Sequence, residues 1–379
     1  MKRIEFKLRQ HTPIIHFQAK DNGATLRASE VKSKLDRYII SKIGSGKVEQ
    51  KGWHIPGQKS ALHYKLSFHV EGSIKYFLPM NNVAEKFRNA FLVEANKKLS
   101  LPIEMLSPSP YFANEDKLKK PGSGDNKWDE VRLATQIEGD IYGEILCQNE
   151  ELSKMIESHL QSFFLLHNFG ARQSKGFGSY TVRLLNDKPI NEDKKSIAQK
   201  MYDLRVDNCL KSRVDVHHQL SQIQRFHHKL KTAANGQYSE LRQYFHEKAI
   251  EWEKPLVREM VGLGKEKGTK SYITMYVRAL LGLHGQFEFP QLNRRVKVSN
   301  QVANPPIERF ASPIIYKPIG DIIYLILKDI PDEMFDMEFV LSTEMREKRV
   351  RTPKKATFDF EDFMAYVQDK NIKNTEELL

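Results

Sequence analysis

Cysteine is almost missing: the 379 residues hold two, Cys147 and Cys209. Two thiols build no disulfide framework and leave no Cys-His set at zinc spacing. No stretch of about 20 apolar residues occurs, so nothing reads as a membrane span. The start, Met1-Lys2-Arg3-Ile4-Glu5, lacks the apolar segment of a secretory signal and enters a strand pattern at once. The expected setting is a reducing cytoplasm with no membrane contact. A phosphate loop ending Gly-Lys-Ser/Thr, a dinucleotide fingerprint and a nucleophile elbow are all missing, and no cofactor is expected. No fixed-period repeat is visible.

Positive charge is what the chain has in excess. Sixty Lys and Arg stand against 48 Asp and Glu, a formal net charge of +12. Such an excess favours a polyanionic partner, the plainer alternative being a generally basic protein. The length suits two or three domains.

Residues 3–9 alternate Ile4, Phe6 and Leu8 with Glu5, Lys7 and Arg9, the pattern of a half-buried strand. From Ser29 to Lys42, Val31, Leu35, Tyr38 and Ile39 recur at helical spacing, with Ser29 as the expected N-cap. Two hairpins are expected, one turning at Glu71-Gly72 and a second, or one long bent strand, around Gly139-Asp140. A helix is expected over 82–99 between them, followed by a loop over 107–128, and another helix over 150–167 before a strand over 180–185. Setting the insertion aside, the order is β-α-β-β-α-β, a ferredoxin-like unit. Its open antiparallel sheet is a common platform for single-stranded RNA. The chain turns polar after Asn186, which places a domain boundary there: 1–189 and 190–379. Helices are expected over 196–209, 213–234, 238–252 and 272–283. Strands are expected over 311–317 and 321–329, with a third strand at 335–342 and a closing helix over 360–367.

The candidate binding element is Asn168 to Ser179, with Gly170, Gly176 and Gly178 around Arg172, Lys175 and Phe177. Glycine ends helices and lets backbones approach. A loop stripped of side chains, rich in N–H donors and flanked by cations suits a phosphate backbone. The bland alternative is a helix-to-strand connection. Arg27, Lys32, Lys34 and Arg37 extend the basic surface, or form a solvated face. Aromatics among cations at Trp53, Tyr64, Tyr76-Phe77, Phe177 and Tyr316-Lys317 offer base stacking, against the commoner role of strand aromatics as core. A second basic loop is expected around Gly262, Gly264 and Gly268, and a basic cluster at Arg294-Arg295 and Lys297.

Three constellations bear on catalysis. His217-His218 and His227-His228 resemble metal pairs, but His217 and His228 lie about 16 Å apart along one helix. Asp125 and Asp129 flank Trp128 in a loop that could hold a divalent ion through oxygen; a solvated loop is the plainer reading, and no metal site is assigned. His16, in the apolar run Ile14-Ile15-His16-Phe17, could deprotonate a 2′-hydroxyl or could simply be packed.

The run Gly170-Ala171-Arg172 … Lys175-Gly176-Phe177-Gly178-Ser179 resembles the signature loop of the RAMP superfamily, the RNA-binding subunits of CRISPR systems. Thr12 to Phe17, Leu26 to Arg37, and Glu308-Arg309-Phe310-Ala311-Ser312-Pro313 are similar to segments of the first-numbered RAMP subunits of type III-B Cmr complexes. The chain departs from that family at Lys32-Ser33-Lys34, where a Lys-Gly pair is common, and in its long helical block. The resemblance implies an α+β fold of two ferredoxin-like units, the second degenerate, with the helical block between or inserted. It implies an antiviral, non-catalytic subunit that meets guide RNA and target RNA near the guide's 3′ end and docks on other RAMP subunits. The alternative it carries is a metal-independent endoribonuclease maturing guide RNA, with His16 as base.

Overall fold

The structure, a computed structural model, describes residues 1–16, 25–80, 85–106, 118–191, 193–203, 206–211, 215–232, 238–264, 272–283, 285–289, 292–300 and 310–368. Phe17, the basic stretch 265–271 and Glu308-Arg309 lie outside them. The chain divides into two units, 1–224 with 316–325, and 225–315 with 326–379.

The first unit begins with β1 (Lys2–Gln10), β2 (Ile14–Ile15) and helix α1 (Ala28–Ile43), then the short α2 (Ser45–Gln50), β3 (His54–Ile55) and β4 (Gln58–Leu62). Two long strands follow, β5 (Tyr64–Pro79) and, after α3 (Glu85–Leu99) and β6 (Ile103–Leu106), β7 (Ala134–Cys147). Helix α4 (Glu150–Leu166), β8 (Tyr180–Leu185), β9 (Lys188–Pro189), α5 (Lys194–Asp203) and β10 (Val206–Lys211) come next, and α6 (Val216–Lys231) begins in the first unit and ends in the second. The main sheet runs β6-β5-β7-β1-β8-β9, with β2 added on β7. Within it β5, β7, β1 and β8 are antiparallel neighbours, the order that β-α-β-β-α-β connectivity gives a ferredoxin-like sheet.

Alternation on β1 and helical spacing on α1 and α4 converge on one core. Ile4, Phe6 and Leu8 meet Val31, Leu35 and Ile39 and the α4 row Leu152, Ile156, Leu160, Phe163 and Phe164. Each such side chain contributes about 1.5–3 kcal/mol on burial. Helix α4 is capped by Asn149, whose side chain accepts from the Leu152 N–H. Helix α1 starts one residue earlier than expected, with Arg27 at the N-cap and no side-chain cap, so Ser29 is not the cap.

Several expected boundaries are corrected. There is no turn at Glu71-Gly72, where β5 runs straight through; of the two readings at Gly139-Asp140 the structure has the one long strand, β7, and Gly72 pairs with Gly139. A Cβ on Gly72 would stand 2.4 Å from the Glu138 carbonyl oxygen, and one on Gly139 2.2 Å from that of Glu71. These glycines serve close strand approach, not chain reversal. The expected helix over 196–209 ends by Asp203 and gives way to β10. The expected helix over 238–252 becomes α7 (Glu240–Glu247) and β11 (Ile250–Trp252). That over 272–283 becomes β12 (Ile273–Met275) and a 3₁₀ turn, Val277–Leu281.

The second unit adds α8 (Lys254–Met260), β13 (Gln286–Phe289), β14 (Arg294–Ser299), β17 (Glu338–Ser342), β18 (Glu347–Arg351) and a helix over 360–368. The four strands form an antiparallel meander, β13-β14-β17-β18, and β11 pairs with β12 in parallel. Between them in the chain come β15 (Ile314–Ile319) and β16 (Ile322–Leu327), which make a three-stranded sheet with β10. Charge is buried in the second unit's core. Arg242 and Glu251 pair at 3.1 Å with both side chains inaccessible, and the guanidiniums of Arg242 and Arg278 each lie 5.1 Å from the Trp252 ring. Arg278 also pairs with the buried Glu253. The class is α+β throughout.

Candidate nucleic-acid interface

The glycine loop is held inside the first unit along nearly its whole length. Helix α4 has ended at Leu166, so Gly170 does not cap it. Gly170 instead takes a φ of +77°, and a Cβ there would lie 2.5 Å from the Ile15 carbonyl oxygen. Gly178, at φ +65°, would place a Cβ 1.9 Å from the Phe169 carbonyl oxygen. Gly176 lies against Ile223 and Pro318. At Gly170 and Gly178 the close backbone approach that glycine permits is made by the protein's own carbonyls, while Gly176 faces side chains.

The loop's N–H donors are spent the same way. Ala171 donates to the Ile15 carbonyl at 2.6 Å and Gly178 to that of Pro13 at 2.8 Å. Phe169 donates to Gly178, Gly170 to the Glu30 carboxylate and Ser179 to the Thr12 hydroxyl. The reading of the loop as a cradle of open donors is corrected on this ground: buried amides need partners, and they find them in the chain.

A second tie comes from the segment Tyr316 to Pro318. The Lys317 ammonium donates to the carbonyls of His167 at 2.8 Å and Tyr180 at 2.9 Å, the residues that bracket the loop. Asn168 Nδ2 reaches the Tyr316 carbonyl, and Ser179 Oγ that of Pro318. Burial, with Lys34 nearby, drives the Lys317 amine well below its ordinary pKa. Tyr316 and Lys317, expected to stack bases and meet phosphates, are both fully buried and do neither. Phe177 is buried too and offers no stacking face. Trp53, Tyr64 and Phe77 likewise belong to the core.

The cations of α1 divide. Lys32 donates to Asp36 at 2.8 Å and to the Leu62 carbonyl, with the Tyr64 ring 4.2 Å beneath it. Lys34 pairs with Glu30, donates to the Asn168 carbonyl at 3.0 Å and lies over Phe169. Both act as internal ties, which corrects their assignment to a phosphate surface. Arg37 is exposed, donates only to the Ser33 carbonyl of its own helix, and makes no ion pair among the described residues. Arg27 is partly exposed.

What remains outward on the loop is its tip. Arg172 through Lys175 are partly exposed while Gly176 to Tyr180 are buried. Arg172 sits at φ +60°, a left-handed conformation that a non-glycine residue holds only when its surroundings fix it. The Lys175 N–H closes the turn on the Arg172 carbonyl at 2.8 Å.

The open face of the sheet is charge-balanced. Arg3 pairs with Glu144, Arg183 with Asp140 at 3.1 Å and Lys75 with Glu138 at 2.6 Å, while Lys7 lies over Tyr142. In that row Tyr142 lies between Lys7 on β1 and the exposed His69 on β5.

His16 is 6 % exposed. His11, passed over in the sequence, is a strongly perturbed histidine. Its ring contacts the Thr181 hydroxyl at 2.8 Å, and burial, helped by Lys317 and Arg9, pulls its pKa down to about 3. Trp128 donates to Glu94 and packs on Phe91, so the loop around Asp125 and Asp129 is anchored by a core tryptophan. Among the described residues no three His, Cys, Asp or Glu side chains gather at a metal-binding distance, and no helix is long and apolar enough to cross a membrane.

The first unit thus carries an antiparallel sheet of ferredoxin-like strand order, with a glycine-rich loop between α4 and β8. Sequence models of the Cmr1 N-terminal domain and the Cmr1 C-terminal domain match residues 1–234 and 236–378, and the chain belongs to the Cmr1 family. Among solved structures, apo Cmr1 from Pyrococcus furiosus is similar over 98% of this chain and 97% of its own, at 12% identity and a TM-score of 0.39. A chain of the Type III-B Cmr-beta complex bound to cognate target RNA matches 48% of this chain and 59% of its own, at 13% identity and TM-score 0.29. A chain of that complex with target RNA and AMPPnP matches 98% and 99%, at 11% identity and TM-score 0.36. No curated protein sequence matches.

Proposed function

We propose that this chain is an RNA-binding, non-catalytic subunit of a type III-B Cmr complex, touching guide and target RNA near the guide's 3′ end. Arg172 and Lys175 contact the phosphate backbone, with Arg27 and Arg37 of α1 continuing the surface. The observation that carries the reading is the tip itself: two cations on a turn whose frame is fixed by Pro13, Ile15, Glu30 and Lys317. A fixed frame lowers the ordering cost of binding. Family membership supplies the expectation of RNA and of neighbouring RAMP subunits.

The test is RNA affinity across a salt series. Arg172→Ala with Lys175→Ala should weaken binding to a single-stranded RNA and lower the slope of log affinity against log salt by about 1.4, near 0.7 for each phosphate no longer neutralised. An unchanged slope removes the tip from the interface. The burial of His16 favours packing over catalysis, because a 2′-hydroxyl must come within about 3 Å of a general base. A finer part of the same reading is that β15 and β16 are central strands of a degenerate second ferredoxin-like unit; a crystal structure in which they pair only with each other and with β10 would sink it.

A further inference from the structure

The strongest unassigned feature is a groove of about 890 Å³ in the second unit, lined by Arg294, Arg295, Lys297 and Arg346 with Glu288 and Glu344. None of these four cations forms an ion pair among the described residues. On β14, Arg295 and Lys297 are exposed on either side of the buried Val296, so they project from one face of the meander. Alternate strand residues are about 6.7 Å apart, a spacing that matches successive phosphates of an extended single strand.

Arg294 and Arg346 stand at the end of α8. Arg294 donates to the Val261 carbonyl at 2.6 Å and Arg346 to that of Glu259 at 3.0 Å. Cations at a helix C-terminus answer its negative end, which accounts for one donor of each guanidinium. A guanidinium has five N–H groups, so each keeps donors beyond its carbonyl. Glu288 lies opposite Arg295 in the ladder but takes its hydrogen bond from Gln286.

We infer that this groove is a second track for a single-stranded phosphodiester backbone, independent of the glycine loop and resting on the same RNA-binding reading. Arg295 and Lys297 hold successive phosphates, Arg294 and Arg346 flank them, and Glu288 limits how much charge the track accepts.

The test uses the full chain and a 20-nucleotide oligouridine in a salt series. Arg295→Ala with Lys297→Ala should lower the salt slope by about 1.4 and weaken binding several-fold, while Glu288→Gln should tighten it. Circular dichroism checks that the exposed substitutions leave the fold intact, and Arg295→Lys should keep the slope. The loop-tip double variant runs beside it. If it alone changes the slope, the groove is wrong and the loop stands; if the groove variant alone does, the reverse holds. A groove variant with wild-type RNA affinity that no longer co-purifies with its neighbouring subunits would make this a protein face and overturn the inference.

Discussion

At the scale of single residues, the glycine loop is governed by close contact. Gly178→Ala would drive a methyl into the Phe169 carbonyl in a left-handed backbone. It should destabilise the first unit by more than ~2 kcal/mol, read as a lowered urea midpoint, and it should cost RNA affinity only through the fold. A variant of wild-type stability would show that the loop is looser than its packing requires. His11 gives a pH signature. Unfolded, it titrates near the ordinary 6.5; folded, near 3. Between those values the unfolded chain binds more protons, so this stability is whole above pH 6.5 and is lost as pH falls toward 3. His11→Gln should flatten the acid-side dependence of the denaturation midpoint.

At the scale of elements, the buried amine of Lys231, at the end of α6, holds the 3₁₀ turn Val277–Leu281. It donates to the carbonyls of Leu281 and Gly282, and burial beside Arg278 pulls its pKa down to about 7, against the opposing pull of Glu253. The unfolded lysine titrates near 10.5, so the unfolded chain holds the extra proton between pH 7 and 10.5 and stability rises through that window. Lys231→Met should remove the rise in denaturation midpoints measured from pH 7 to 10. Elements are also where the sequence was most and least readable. The alternation of β1, the stripe of α1 and the apolar row of α4 were legible because one face of each is buried in a single core. Glu71-Gly72 read as a turn, and Gly139-Asp140 as a turn or a point within one long strand, because glycine beside an acid usually marks a turn; only their pairing across two strands shows the other use. The strands β10, β11 and β12 overlap expected helices and are too short, at three to six residues, to show a period of their own. At the candidate site, the glycine loop between a helix and a strand was legible. The internal use of Lys32, Lys34, Phe177 and Lys317 was not, since spacing does not say which cation meets a carbonyl.

At the scale of the whole molecule, the first unit is discontinuous: residues 316–325 belong to it, although the second unit's residues come between. A fragment ending at 224 lacks Lys317, the donor to both ends of the loop. Trypsin should cut that fragment at Arg172 or Lys175 far faster than it cuts the full chain, and equal rates would show that the strap is dispensable.

That strap also sets a schedule on the ribosome. After β8 is made, about 140 further residues must be synthesised before Leu325 appears, roughly 7–30 s at ordinary elongation rates. Through that interval the N-terminal unit holds the loop by Thr12, Pro13, Ile15 and Glu30 but lacks the ties from Tyr316 to Pro318. The full set of contacts that frames the loop tip is thus complete only once most of the second half of the chain exists.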